Sequence, residues 1–157
     1  MSNDITNGIA HEACDTLIAQ FTANVPLDTN LVEIVVKASN ANANYRDYLL
    51  GAPVLELGHE TAIRFITDLL PLMAEADRVP FYSILASFYY ETGDNELAVA
   101  SLVTADAINP EYSLARLLTR VIASGFPASM MTSMRHELHP KVVETLTTER
   151  DFVLVSA

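Results

Sequence analysis

The stretch that decides the fold is Val79–Tyr112, VPFYSILASFYYETGDNELAVASLVTADAINPEY. Pro80 stands where a helix start tolerates proline, because the first turn has no partner for that amide. Tyr82, Leu85, Ala86, Phe88 and Tyr89 recur at helical spacing. Gly93-Asp94-Asn95 then interrupts the pattern, and Leu97, Ala98, Ser101, Leu102, Ala105 and Ile108 resume it up to Asn109-Pro110. Two apolar stripes joined by so short a turn face each other only if the chain reverses there, which predicts an αα-hairpin. Gly93 is expected at positive φ, with Asp94 or Asn95 opening the second helix. Ala98 is expected at the closest approach of the two helices.

The same periodicity continues in both directions. Downstream, Leu114, Leu117, Leu118, Val121 and Ile122 predict a helix from about residue 112 to 124, closed by Gly125 and Pro127. Two shorter helices are expected at 128–138 and 141–148, separated by Pro140, followed by an apolar tail at 150–157 containing Phe152-Val153-Leu154-Val155. Upstream, Ile5, Ile9, Ala13, Cys14, Leu17, Ile18 and Phe21 predict an N-terminal helix within 1–25. Asp28 is placed to cap a helix carrying Leu31, Ile34, Val35 and Ala38, although the β-branched run Glu33–Lys37 also suits a strand. Asn42 or Asn44 is expected to cap a short helix through Tyr45, Tyr48, Leu49 and Leu50 that Gly51 and Pro53 terminate. A longer helix from about Gly58 to Asp77 is expected to kink or break at Pro71. The chain therefore reads as one all-α, compact multi-helix domain spanning 1–157.

Composition narrows the function classes. Lys and Arg total 9 and Asp and Glu total 20, a net charge of -11. Such a field repels phosphate backbones and anionic lipid, so neither direct nucleic-acid binding nor membrane binding is expected. Neither a signal-peptide pattern nor an 18-residue apolar run occurs, and the single cysteine, Cys14, makes no internal disulfide. The expected setting is cytoplasmic. Charge alone also admits an acidic, phage-type inhibitor or nucleic-acid mimic.

From Val79 to Tyr112 the chain resembles one tetratricopeptide repeat, carried by Tyr82, Leu85, Ala86, Tyr89, Gly93, Ala98, Leu102, Ala105 and Pro110. The next register does not repeat the pattern: Ala123 stands at an aromatic position and Pro127 at the turn glycine. A longer resemblance runs from about Ala62 to Pro127. It is carried by Gly93-Asp94, Glu96-Leu97-Ala98, Ala105, the run Asn109–Leu118 and Gly125-Phe126-Pro127, with Arg46-Asp47 and Leu49-Leu50 as an extension. Over these residues the chain is similar to the C-terminal helical part of an actinobacterial family of unknown function. That resemblance implies a fold and an origin in an actinobacterium or its phage, and no mechanism.

No catalytic constellation stands out. His136-Glu137-x-His139 lacks the spacing that puts two imidazoles one turn apart on zinc. His11 with Cys14, and Glu56 with His59 and Glu60, supply too few ligands or read as helix-end residues. No cofactor, metal or catalytic residue is assigned. An enzyme with an unfamiliar site would need a pocket where His11, Asp15, His59 or His136 and Glu137 converge. The principal expectation is a non-enzymatic helical protein-interaction or self-association domain, its partner another protein or a second copy. The candidate contact residues are Phe81, Tyr82, Phe88, Tyr89 and Tyr90, which cannot all face one way on a helix, and the pair Arg116 and Arg120. Either the aromatic helix is buried on two sides, or one of its stripes is open.

Overall fold

The computed structural model describes the backbone of residues 3–156 and the side chains of 10–147. Eight α-helices and no strand occur among the described residues: α1 (Asn3–Thr22), α2 (Thr29–Ala41), α3 (Ala43–Leu57), α4 (His59–Leu69), α5 (Val79–Glu91), α6 (Asn95–Ile108), α7 (Ser113–Ala123) and α8 (Ala128–Ser156). Glu33–Lys37 is helical, inside α2. The all-α class expected from the periodicity is the one found. None of these helices is long and apolar enough to cross a membrane.

Short polar residues start the helices as their chemistry demands. The Asp28 carboxylate accepts from the amides of Asn30 and Leu31. The Asn42 side-chain oxygen accepts from those of Asn44 and Tyr45. Each satisfies first-turn donors that have no partner within the helix. At Pro71 the expected break occurs: α4 ends at Leu69 and two 3₁₀ turns, Leu70–Leu72 and Glu75–Arg78, lead to α5.

Two expected stops did not hold. Helix α3 runs through both Gly51 and Pro53 to Leu57, and α8 runs through Pro140. Gly51, Ala52, Pro53 and Val54 are all buried. A Cβ at Gly51 would sit 2.1 Å from Nδ1 of His139, so this glycine lets α8 cross α3 closely rather than ending α3. Pro53 removes one helical bond, and Arg135 Nε of α8 donates to the neighbouring Leu50 carbonyl at 2.6 Å. Packing between helices has overridden local propensity at this crossing. Pro140 costs α8 the bond to the His136 carbonyl, but both residues are exposed and water can take that acceptor. Beyond the proline, Val142, Val143 and the buried Leu146 pack on the core and hold the helix in line. The expected pair of helices at 128–138 and 141–148 is therefore one helix. The side chains of the apolar tail, 150–157, lie outside those described.

Helix α5 organises the interior. Phe81, Ile84, Leu85 and Phe88 face a large core built from α1–α4 and Leu146 of α8. Val79 and Ala86 face a smaller core with Leu102, Ala105, Leu114, Ala115 and Leu118 of α6 and α7. The aromatic helix is thus buried on two sides, which is why it is apolar nearly all round. Its first-named alternative holds, and no aromatic stripe stands open along it.

The α5–α6 turn forms as its spacing predicts. Gly93 has φ +85° and Asp94 caps α6 through the Leu97 amide. The Asp94 amide donates to Tyr89 O at 2.9 Å and the Gly93 amide to Tyr90 O at 3.1 Å, the paired bonds of a Schellman closure. A Cβ at Gly93 would meet nothing within 4 Å, so Gly93→Ala should cost only backbone strain, about 1 kcal/mol. Ala98, fully buried, has no such room: Ala98→Leu should overpack the α5–α6 crossing and cost about 1–3 kcal/mol. Urea denaturation of both variants checks the order; a neutral Ala98→Leu would mean the crossing is not close.

Candidate functional site

The hairpin and α7 leave one side of the molecule incompletely covered. Helix α6 buries only Ala98, Leu102 and Ala105, a narrow stripe of small residues and one leucine. Ile108 packs on the smaller core, but three other apolar residues of α6 face outward: Val103 is 63% exposed, Val99 46% and Leu97 45%. Helix α7 has a sharply two-sided pattern, burying Leu114, Ala115 and Leu118 and turning its polar face out. Between the two lies a groove of about 450 Å³ lined by Val99, Leu102, Val103, Asp106, Thr119, Ile122 and Ala123. An adjoining pocket of about 260 Å³ shares Leu102, Asp106 and Thr119 and is completed by Ala115, Arg116 and Arg120.

The electrostatics of this groove differ from those of the chain as a whole. Arg116 and Arg120 line the adjoining pocket from α7, while Asp106 of α6 borders both the pocket and the groove. Arg116 is held by Glu111 at 3.3 Å, an exposed contact of small energetic weight. Among the described residues Arg120 and Asp106 form no ion pair. The groove and its adjoining pocket together therefore present an apolar floor with one unpaired charge of each sign.

The residues singled out from the sequence separate into two groups. Arg116 and Arg120 line the pocket adjoining this groove. Phe81 and Phe88 are fully buried and Tyr90 is nearly so, its hydroxyl donating to the Phe126 carbonyl. Tyr82 and Tyr89 are half-buried and pack on the cores. As a contact surface Phe81, Phe88 and Tyr90 fail for a physical reason: α5 is the central helix, and its rings supply core contacts on both sides. The outward residues Val99 and Val103 carry a signal of their own. Both are β-branched and apolar, yet both fall off the Ala98–Leu102–Ala105 stripe that the hairpin buries.

A second grouping lies around α8. Glu91, the last residue of α5, has a fully buried side chain. Both guanidinium nitrogens of Arg135 donate to it, Thr132 Oγ1 donates at 2.8 Å, and His59 Nε2 stands 3.5 Å away. Arg135 also donates to Ser87 Oγ at 3.3 Å and lies over the Phe88 ring at 5.4 Å. Every face of the arginine is used inside the protein, which makes this cluster a structural fastening of α8 to α3 and α5.

Of the polar residues named from the sequence, His11 and Asp15 do come together with a partner not foreseen. Tyr48 Oη donates to Asp15 Oδ1 at 2.5 Å, His11 stands edge-on to the Tyr48 ring, and His139 lies on its other side. Burial, and then Asp15, pushes the Glu56 carboxyl up; burial, and then His11 and Arg135, pushes the His139 imidazole down. Burial likewise holds the Cys14 thiol far above its usual range, so it is a poor nucleophile. His59 sits with Glu91, and His136 and Glu137 are exposed. The polar residues named from the sequence are thus divided among separate places. Among the described residues no three His, Cys, Asp or Glu side chains are placed to hold a metal ion.

Residues 9–129 match the family described as "Domain of unknown function (DUF4192)", and the chain belongs to that family. The match takes in α2 to α7 whole and most of α1, well beyond the half of the chain that the sequence resemblance covered. No curated protein and no solved structure matches the chain.

Proposed function

We propose that this domain is non-catalytic and works by binding a protein surface through the α6–α7 groove. The observation that carries the reading is the outward pair Val99 and Val103 above an open apolar groove on a chain of net charge -11. Exposed apolar side chains that gather around a concavity, rather than lying singly on the surface, mark a place where another surface can dock. The repeat-like character of the hairpin supports the same reading. In a tetratricopeptide-like arrangement α5 and α6 form one unit and α7 the first helix of the next, so the outer side of α6–α7 is an edge at which a further helix would stack. A protein partner fits better than nucleic acid or lipid, since the overall charge opposes both. A cytoplasmic setting belongs to the same proposal.

The test is a complex that depends on the groove. Crosslinked in its own cells before lysis, the tagged domain should elute larger than its 17.2 kDa mass on size exclusion. Val103→Glu should return it to monomer size. An exposed substitution of this kind should change stability by no more than about 0.5 kcal/mol, so loss of the complex would not reflect unfolding. Monomer-size elution of the wild-type domain, or a complex indifferent to Val103→Glu, overturns the reading.

A further inference from the structure

We infer that the occupant of the α6–α7 groove is the same groove of a second copy, related by a two-fold axis. This rests on the groove being a contact surface and adds what covers it. The argument is charge complementarity. Two chains of net charge -11 repel one another over most of their surface, so a copy can approach only where opposite charges meet. The groove and its adjoining pocket together are such a place, because they carry one unpaired acid, Asp106 on α6, and one unpaired base, Arg120 on α7. A two-fold contact is self-complementary: what residue i meets in the partner, the partner's residue i meets in return. Apposing two such grooves sets each Asp106 against the other copy's Arg120. The same apposition drops Val99 and Val103 of each copy over the partner's Ile122 and Ala123, covering the apolar floor from both sides.

The size of the face sets the expected strength. Helix α6 has 14 residues, and a pair of helices this long offers a footprint of about 20 Å by 20 Å. That is about 400 Å² per copy, below the usual size of a permanent dimer interface. The dimer should therefore form in the micromolar range or above and exchange readily.

Sedimentation velocity on the purified wild-type domain, from low to high micromolar concentration, provides the test. The expected result is a concentration-dependent shift from monomer to dimer. Asp106→Arg and Arg120→Asp each place like charges across the axis, and each should raise the dissociation constant by about tenfold or more. Mixing the two variants should restore the dimer, because each then meets an opposite charge at both contacts. The far-ultraviolet circular dichroism of both variants should match the wild type, since both positions are exposed. A wild-type domain that stays monomeric throughout, or a dimer that ignores the reversals, overturns this inference. A monomeric pure domain that still forms the Val103-dependent complex in cells would fail the two-fold contact alone and leave the groove reading standing.

Discussion

Phe88→Ala should destabilise the domain by about 3–5 kcal/mol, the range for emptying a fully buried aromatic site. In a chain of 157 residues that corresponds to a fall in Tm of about 6–20 °C. The loss has two parts. The ring lies in the large core beside Phe81, Ile84 and Leu85, so its removal leaves a cavity that neighbours on five helices cannot all close. It also removes the aromatic face on which the Arg135 guanidinium rests. Thermal unfolding followed by circular dichroism reads the effect directly. Had Phe88 belonged to a contact surface, the substitution would leave Tm nearly unchanged and weaken only association. The groove residue Val103 is the control: Val103→Ala should leave Tm almost where it was, because the side chain is mostly in solvent already.

The contrast between Phe88 and Val103 shows what could be read from residues alone. Periodicity locates α1, α2, α5, α6 and α7, because each has an apolar stripe bounded by a cap or breaker within the chain itself. Asp28, Asn42, Asp94 and Gly93 are legible for the same reason: their hydrogen bonds or backbone angles are settled by neighbours a few residues away. Gly51, Pro53 and Pro140 are not. Locally each of them says stop, and only the crossing of α8 over α3 explains why the helices continue. The aromatic run of α5 fails similarly. Two stripes on one helix mean either burial on both sides or exposure of one, and the choice depends on how many helices surround it. Arg116 and Arg120 are exposed on α7 and line a pocket beside the α6–α7 groove, since charge on α7 has no reason to be buried. The apolar half of the same groove went unseen, since a valine off the stripe is conspicuous only after the stripe's partner is known.

Glu91→Ala and Arg135→Ala should each cost about 3–5 kcal/mol, because each leaves its partner's charge buried with no counter-ion. The two side chains are enclosed almost completely, and the pair brings together groups from four helices. Ser87 and Glu91 belong to α5, Thr132 and Arg135 to α8, the Leu50 carbonyl to α3 and His59 to α4. With Arg135 gone, the Glu91 carboxylate keeps Thr132 as a donor but loses both guanidinium bonds. With Glu91 gone, the guanidinium keeps Ser87 and Leu50, and its charge is uncompensated. The Glu91→Ala/Arg135→Ala double variant removes both charges at once, so its cost should lie near that of one single variant rather than their sum. The resulting coupling, the sum of the two single costs less that of the double, should be about 3–5 kcal/mol and is read from urea denaturation of the four proteins. Hydrogen exchange should locate the damage: amides of the first half of α8, around Thr132 and Arg135, should lose protection in either single variant ahead of those of α5, which two cores hold on both sides. Additive costs, or exchange unchanged along α8, would mean that apolar packing and not the ion pair fastens this helix to the domain.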